Sequence, residues 1–199
     1  ALPKMISGGG YTVAYAYRSS TLNGSVRTPS PVNAVFNDSS QLIKYSDGTE
    51  SAALGSAAVT FSATDGIIGW GRWDGNMDPA GSLTLQPGVF HYVVGQPTAA
   101  MPTTGTATYN LMGYTNPTSS DGSTGWKVSG NLAVNFTNIT TGVGVNLVVA
   151  NSTTSYGITG GLAVTSSFTG TVSSSCTGSC GGSTKLTSIN GFFAGANAS

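Results

Sequence analysis

Tyr11-Thr12-Val13-Ala14-Tyr15-Ala16-Tyr17 is the stretch that decides the fold, because a large apolar side chain stands at every second position. A period of two places alternate side chains on opposite faces of a β-strand. Three later runs repeat the alternation, with Ala107, Tyr109 and Leu111, with Val128, Leu132, Val134 and Phe136, and with Val143, Val145, Leu147 and Val149. No helical period recurs. The chain is therefore predicted to be all-β.

Short polar segments separate these runs, at the spacing of roughly 8 to 12 residues that is typical of antiparallel sheets. Residues 137–142 predict a hairpin turn, and we expect comparable turns at residues 151–154 and 160–161. A short helical turn is expected near residues 49–54. The predicted architecture is an antiparallel β-barrel or barrel-like sandwich, with a less regular β-region at its N-terminal end.

Two prolines, Pro97 and Pro102, interrupt the strand-rich pattern, and neither supplies an N–H to a ladder. They mark a sub-boundary near residues 96–105, which would separate an N-terminal β-region, 1–95, from barrel hairpins at 105–199. We favour one continuous β-structure over residues 1–199.

The composition is neutral and polar. Charged residues make up 7% of the chain, against roughly 25% in an average soluble domain. Seven Lys and Arg balance seven Asp and Glu, so no net field attracts nucleic acid. No apolar run approaches the roughly 20 residues of a membrane-spanning helix. We expect neither nucleic-acid binding nor a transmembrane segment.

The two cysteines, Cys176 and Cys180, lie in a stretch of Ser, Thr and Gly without apolar residues. Each is the other's nearest partner, so we predict a disulfide that closes a short ring. Two reduced thiols are the alternative, and a zinc site lacks a second pair of ligands. Together with the low charge, a disulfide indicates an exported protein, extracellular or on the outer-membrane surface.

The candidate binding residues are Trp70, Arg72, Trp73, His91 and Tyr92. Alternation places Trp70 and Arg72 on one strand face and Trp73 on the other. Trp and Arg often dominate binding interfaces, but a structural role for Arg72, in an ion pair with Asp74 or Asp65, is the competing interpretation.

His91 is the single histidine of the chain, and alternation places it on the face of Val89 and Val93. A hydrogen-bonded structural histidine is one interpretation, and an axial ligand of haem iron, assisted by a nearby Tyr or Met, is the other. No P-loop, nucleophile elbow or metalloprotease motif occurs. Carboxylate pairs such as Asp74 with Asp78 lie in turn-like segments, so we predict that the chain is not an enzyme.

Four stretches, at residues 66–73, 90–98, 101–113 and 191–198, resemble the C-terminal β-rich region of bacterial FecR-domain-containing exported proteins. Gly-Phe-Phe-Ala-Gly at residues 191–195 is also similar to the terminal pattern of the transferrin-binding-lipoprotein β-barrels. In that pattern a final closing strand follows, and a bulkier residue often replaces Ala194. The FecR signalling domain is not recognisable here, and the first 65 residues carry no resemblance.

This resemblance implies an exported barrel whose relatives bind haem or host iron-carrying proteins. Our leading hypothesis is therefore a non-enzymatic binding module for haem or an iron carrier. The alternative is a structural subunit of an extracellular assembly, held by β-strand exchange through an open barrel edge. Residues 11–17, which follow three glycines, are the candidate exchanged strand.

Overall fold

The computed structural model describes residues 4–19, 25–81, 88–119, 123–180 and 184–198. The chain divides into two compact units, one of Ala1–Ala100 with Phe192–Ser199 and one of Met101–Gly191. The division at residue 100 lies inside the proline-containing segment 96–105. Each unit contains one antiparallel sheet, which confirms the all-β prediction.

The first unit contains a nine-stranded sheet. Its strands are β1 (Gly8–Ser19), β2 (Ser25–Arg27), β3 (Val32–Phe36), β4 (Leu42–Ser46), β5 (Glu50–Ala53), β6 (Ala58–Thr64), β7 (Ile68–Gly75), β8 (Asp78–Gly81) and β9 (Gly88–Gly95). They are ordered β6-β7-β9-β1-β3-β4-β5-β8, with β2 also paired to β1. A short 3-10 helix, Ala196–Ala198, belongs to the same unit.

Strand β1 is the centre of this sheet. Along one edge it pairs with β9, from Thr12 opposite Gly95 to Ser19 opposite Gly88. Along the other edge it pairs first with β3 and then with β2. The predicted exchange strand, residues 11–17, therefore lies inside the sheet, where it already has neighbours on both sides.

The sheet folds over one apolar core. Phe90 stacks on Trp73 and on Tyr15, with ring centroids 4.8 and 4.9 Å apart, and it also faces Tyr45 at 6.2 Å. The indole Nε1 of Trp73 donates to the carbonyl oxygen of Leu42 across the core, over 2.9 Å. Strands β4 and β9 thus face each other, as in a barrel-like sandwich. The order ends at β6 and β8, so the sheet does not close into a barrel.

The segment predicted as a helical turn, residues 49–54, forms strand β5 instead. Asp47 explains the difference, because its Oδ1 accepts the backbone N–H groups of Thr49 and Glu50 at 2.8 and 2.7 Å. Those two bonds, with Gly48 at a φ of 93°, shape a tight hairpin between β4 and β5. They also lower the pKa of the Asp47 carboxyl.

The second unit contains a six-stranded sheet in which each strand pairs with the next one along the chain. Its strands are β10 (Thr106–Asn110), β11 (Lys127–Asn135), β12 (Val143–Ala150), β13 (Thr154–Leu162), β14 (Ser167–Gly178) and β15 (Thr184–Phe192). The predicted turns at 137–142 and 151–154 are confirmed. The predicted turn at Gly160 and Gly161 is wrong, because both lie within β13. A Cβ on Gly160 would contact the side chain of Val172 at 2.8 Å.

The two faces of the six-stranded sheet differ in polarity. Val134, Val143 and Leu162 occupy one cross-strand row and are buried. The opposite face carries small polar side chains, including the neighbouring Asn131, Asn146 and Thr159. In β14 the alternation ends at buried Cys176, which is disulfide-bonded to Cys180 as predicted.

Candidate functional site

Strands β7 and β9 separate the five predicted binding residues onto two faces. Trp73 and Tyr92 point into the core and are 0% and 3% exposed. Trp70, Arg72 and His91 lie on the opposite face and are only partly buried. The separation of Trp73 from Trp70 and Arg72 follows the predicted alternation, and His91 shares its face with Val89 and Val93.

Register brings the outward residues together. Phe61 of β6, Arg72 of β7 and His91 of β9 stand opposite one another in a single cross-strand row. In the adjacent row Trp70 stands opposite Val93. We call the set Phe61, Trp70, Arg72 and His91 the outer-face platform. Neighbouring rows of a sheet lie close enough for aromatic and long side chains to reach one ligand together.

Arg72 is held in place by an acid on its own strand. Its Nε and Nη2 both donate to Oδ1 of Asp74, at 3.1 and 2.9 Å. Thr60 of β6 donates its hydroxyl to the other carboxylate oxygen, Oδ2, at 2.6 Å. This is the ion pair expected from the structural interpretation. It also orients the guanidinium beside His91, because the two residues stand opposite each other.

His91 carries a neutral imidazole at neutral pH. Partial burial, and then the positive charge of Arg72, lower its pKa from the usual 6.5 to about 4, while Asp74 opposes the shift. Neutral imidazole is the form that coordinates a metal. The site therefore holds its histidine in the protonation state that metal ligation requires.

Trp70 adds an unsatisfied donor to the same face. Its indole Nε1 is buried and has no hydrogen-bond partner among the described residues. A buried indole N–H usually finds an acceptor.

Trp73 and Tyr92 support the platform from beneath instead of belonging to it. Their rings lie 5.7 Å apart in the core, and burial raises the pKa of Tyr92 to about 12. Gly71 makes this packing feasible, because a Cβ there would collide with the phenol of Tyr92. Both side chains are too deeply packed to contact a ligand on the outer face.

The sequence analysis missed a second polar group, which lies in the core of the same unit. Glu50 is 4% exposed, and its Oε1 accepts the hydroxyls of Tyr15 and Tyr45 at 2.9 and 3.0 Å. Its Oε2 accepts Nη1 of Arg27 at 2.8 Å. Burial is the main cause of the raised pKa of both tyrosines. Glu50 and Ala52 alternate along β5 and so share its apolar face. This alternation was the feature of the sequence that indicated the burial of Glu50.

In the part of the chain that the structure describes, no three His, Cys, Asp or Glu side chains cluster as metal ligands. No described helix is long and apolar enough to span a membrane. The platform instead combines one neutral imidazole, one oriented guanidinium and two aromatic rings. Such a set suits a flat ligand that carries an anionic group and accepts one axial nitrogen ligand.

Comparison with other proteins identifies no relative, since no family model, no curated protein and no solved structure matches this chain. The resemblance to FecR-domain-containing exported proteins and to transferrin-binding lipoproteins therefore stays a prediction.

Proposed function

We propose that this chain is an exported, non-enzymatic binding module, and that the outer-face platform is its ligand site. The observation that supports the proposal is the register that aligns Phe61, Arg72 and His91 across three strands, with Trp70 in the next row. A rigid sheet holds these side chains in fixed positions, which lowers the entropic cost of binding.

Haem is the ligand whose chemistry fits these groups best. His91 would supply an axial nitrogen, and Arg72 would pair with a propionate through the N–H groups that Asp74 does not use. Phe61, 42% exposed, and Trp70 would contact the porphyrin ring. Bound haem would supply redox-active iron, and the protein's part is to bind and orient it.

The test is a haemin titration followed by visible absorption. We expect saturation near one equivalent, with at least tenfold weaker binding in His91→Ala, because iron ligation is lost. Val89→Ala, on the same strand and face, is the matched control and should bind as the parent does. Arg72→Gln should weaken binding less than His91→Ala, because it removes a charge contact to a propionate and leaves the bond to iron in place.

Metal-free protoporphyrin separates ligation from surface contact. If His91 ligates iron, the parent and His91→Ala should bind this porphyrin equally. A haemin titration without spectral change would contradict haem binding. If the chain then bound an iron-carrier protein, and Trp70 and Arg72 were needed for it, the platform would be a protein-binding site instead.

Open sheet edges favour a second candidate function, that of a structural subunit assembled by edge pairing. Strands β10 and β15 lie at the ends of the six-stranded sheet, and an unpaired edge is a template for another strand. Concentration-dependent oligomers in sedimentation, lost in Thr108→Pro on β10, would support this function. A monomer at all concentrations would contradict it. Residues 11–17 are not the donor strand, because β1 is paired along both edges.

A further inference from the structure

A cleft of about 620 Å³ opens in the first unit beyond the end of β9. Its walls include residues Gly8 and Gly9 of β1, Lys4, Ile67, Gln96 and Pro97. The volume is within the range of ligand sites, roughly 300 to 1,000 Å³. None of the platform residues lines it, so it is a separate feature.

One wall of the cleft is an open strand edge. The β1–β9 ladder stops where Thr12 stands opposite Gly95, but β1 begins four residues earlier, at Gly8. Over that early part β1 pairs with β3 on its other edge, at Gly8 with Ala34 and at Tyr11 with Val32, with a register shift between the two pairs. In the described ranges, no strand pairs with Gly8, Gly9 or Gly10 on the β9 side.

The chain that follows β9 does not continue alongside β1. Pro97 forms a bridge with Ala194, and the backbone N–H of Thr98 donates to the carbonyl oxygen of Phe193 at 2.8 Å. On the side of β9 away from β1, Ile68 of β7 stands opposite Gly95. The turn residues Gly66 and Ile67, which precede β7, line the cleft. The cleft therefore lies between the early part of β1 and this turn, where β9 does not continue.

The lining defines the chemistry of an occupant. A Cβ on Gly8 or Gly10 would meet nothing within 4 Å, so no side chain covers the strand face at these two residues. Ile6 and Ile67, 76% and 47% exposed, give the cleft apolar rims. Among the described residues of the lining, Lys4 alone is charged. An extended, mostly apolar segment with one negative charge complements these walls.

We propose that this cleft binds an extended peptide segment of a partner protein, which adds as a strand to β1 beside residues 8–11. Main-chain hydrogen bonds to the open edge would supply most of the affinity. Apolar side chains of the segment would contact Ile6 and Ile67, and an acidic residue would lie near Lys4. The inference is independent of the haem proposal.

The probe is a fluorescein-labelled, acetylated Val-Thr-Val-Thr-Asp peptide, with binding followed by fluorescence anisotropy. We expect saturable binding to the parent protein, and hydrogen exchange of residues 8–11 should slow in its presence. Two further peptides test strand addition. One is N-methylated at the odd-numbered amides and the other at the even-numbered amides, so that each blocks one edge of the added strand. The version whose free N–H groups face β1 should bind as the unmodified peptide does. The version whose N-methylated amides face β1 should bind about tenfold more weakly, as expected for two lost hydrogen bonds.

Matched variants locate the site. Lys4→Glu should weaken binding about fivefold, the effect of one exposed charge pair, whereas Lys127→Glu in the second unit should leave it unchanged. Ile67→Ser should weaken binding, and Ile139→Ser, at an isoleucine 71% exposed, should not. Absence of saturable binding would overturn the proposal, as would equal binding of all three peptides or equal effects of each variant and its control.

Discussion

The two sheets bury different kinds of side chain. In the nine-stranded sheet the largest fully buried side chains are aromatic, with Trp73, Phe90 and Tyr45 each at 0% exposure. In the six-stranded sheet the most buried residues are smaller, with Val143, Val134, Val172 and Cys176 at 0% to 3% exposure. Trp126, the one tryptophan of that unit, is only half-buried, beside Tyr156 at 5.7 Å.

This difference follows from how each sheet is connected. In the six-stranded sheet each strand pairs with the next along the chain, and valines at every second position cover one face. The nine-stranded sheet brings distant strands face to face, so large rings from β1, β4, β7 and β9 fill the space between them. Tight stacking around one aromatic cluster makes the first unit sensitive to single substitutions there.

The largest expected effect is loss of the central tryptophan. Trp73→Ala removes a ring that stacks on Phe90 and donates to Leu42, so we expect the free energy of unfolding of the first unit to fall by about 4 kcal/mol. Trp126→Ala, the matched change in the second unit, should cost about 1 kcal/mol, because that ring is half in water. Hydrogen exchange measured separately in each unit distinguishes the two. Equal losses would contradict the comparison.

A somewhat smaller effect is expected at the buried acid of the aromatic core. Glu50→Ala would leave the hydroxyls of Tyr15 and Tyr45 buried without their shared acceptor, and should destabilise the first unit by about 3 kcal/mol. Denaturant unfolding measures the change. Asp38→Ala, at an exposed carboxylate of the same unit, should change stability by less than about 0.5 kcal/mol. A Glu50 variant as stable as the Asp38 variant would show that the network adds nothing.

The smallest expected effect is a dependence on pH that His91 confers. Its folded pKa, about 4, lies below the usual 6.5, so the unfolded chain takes up the proton first as pH falls. Stability should therefore be highest above pH 6.5 and decline by about 2 kcal/mol on the way to pH 4.5. Denaturation midpoints at several pH values measure the decline. His91→Gln should lack it, and an unchanged slope in that variant would show that other groups cause it.

Local pattern predicted local structure well. The alternation from Val128 to Phe136 and from Val143 to Val149, with the polar turn between them, describes the β11–β12 hairpin that forms. It also separates Trp73 from Trp70 and Arg72. These features depend only on a period of two and on turn residues, which a single sequence displays.

Non-local features were not predictable in the same way. Nothing in residues 11–17 indicates that β9 is their partner, because pairing across such a distance depends on the whole core. Gly160 and Gly161 look like a turn in the sequence, yet neighbouring side chains require their small size within β13. The burial of Glu50 was not predicted, because a turn precedes this residue and its hydrogen-bond partners are tyrosines of two other strands.

The central position of β1 has a consequence for the time course of folding. The β11–β12 and β12–β13 hairpins close short loops, at Val134 with Val143 and at Ala150 with Ser155, whereas pairing Thr12 with Gly95 closes a loop of some eighty residues. A tenfold longer loop costs about 2 kcal/mol more in chain entropy. We therefore expect the second unit to fold first, since local contacts form fastest. Until β9 reaches β1, the row of tyrosines on residues 11–17 stays in contact with water.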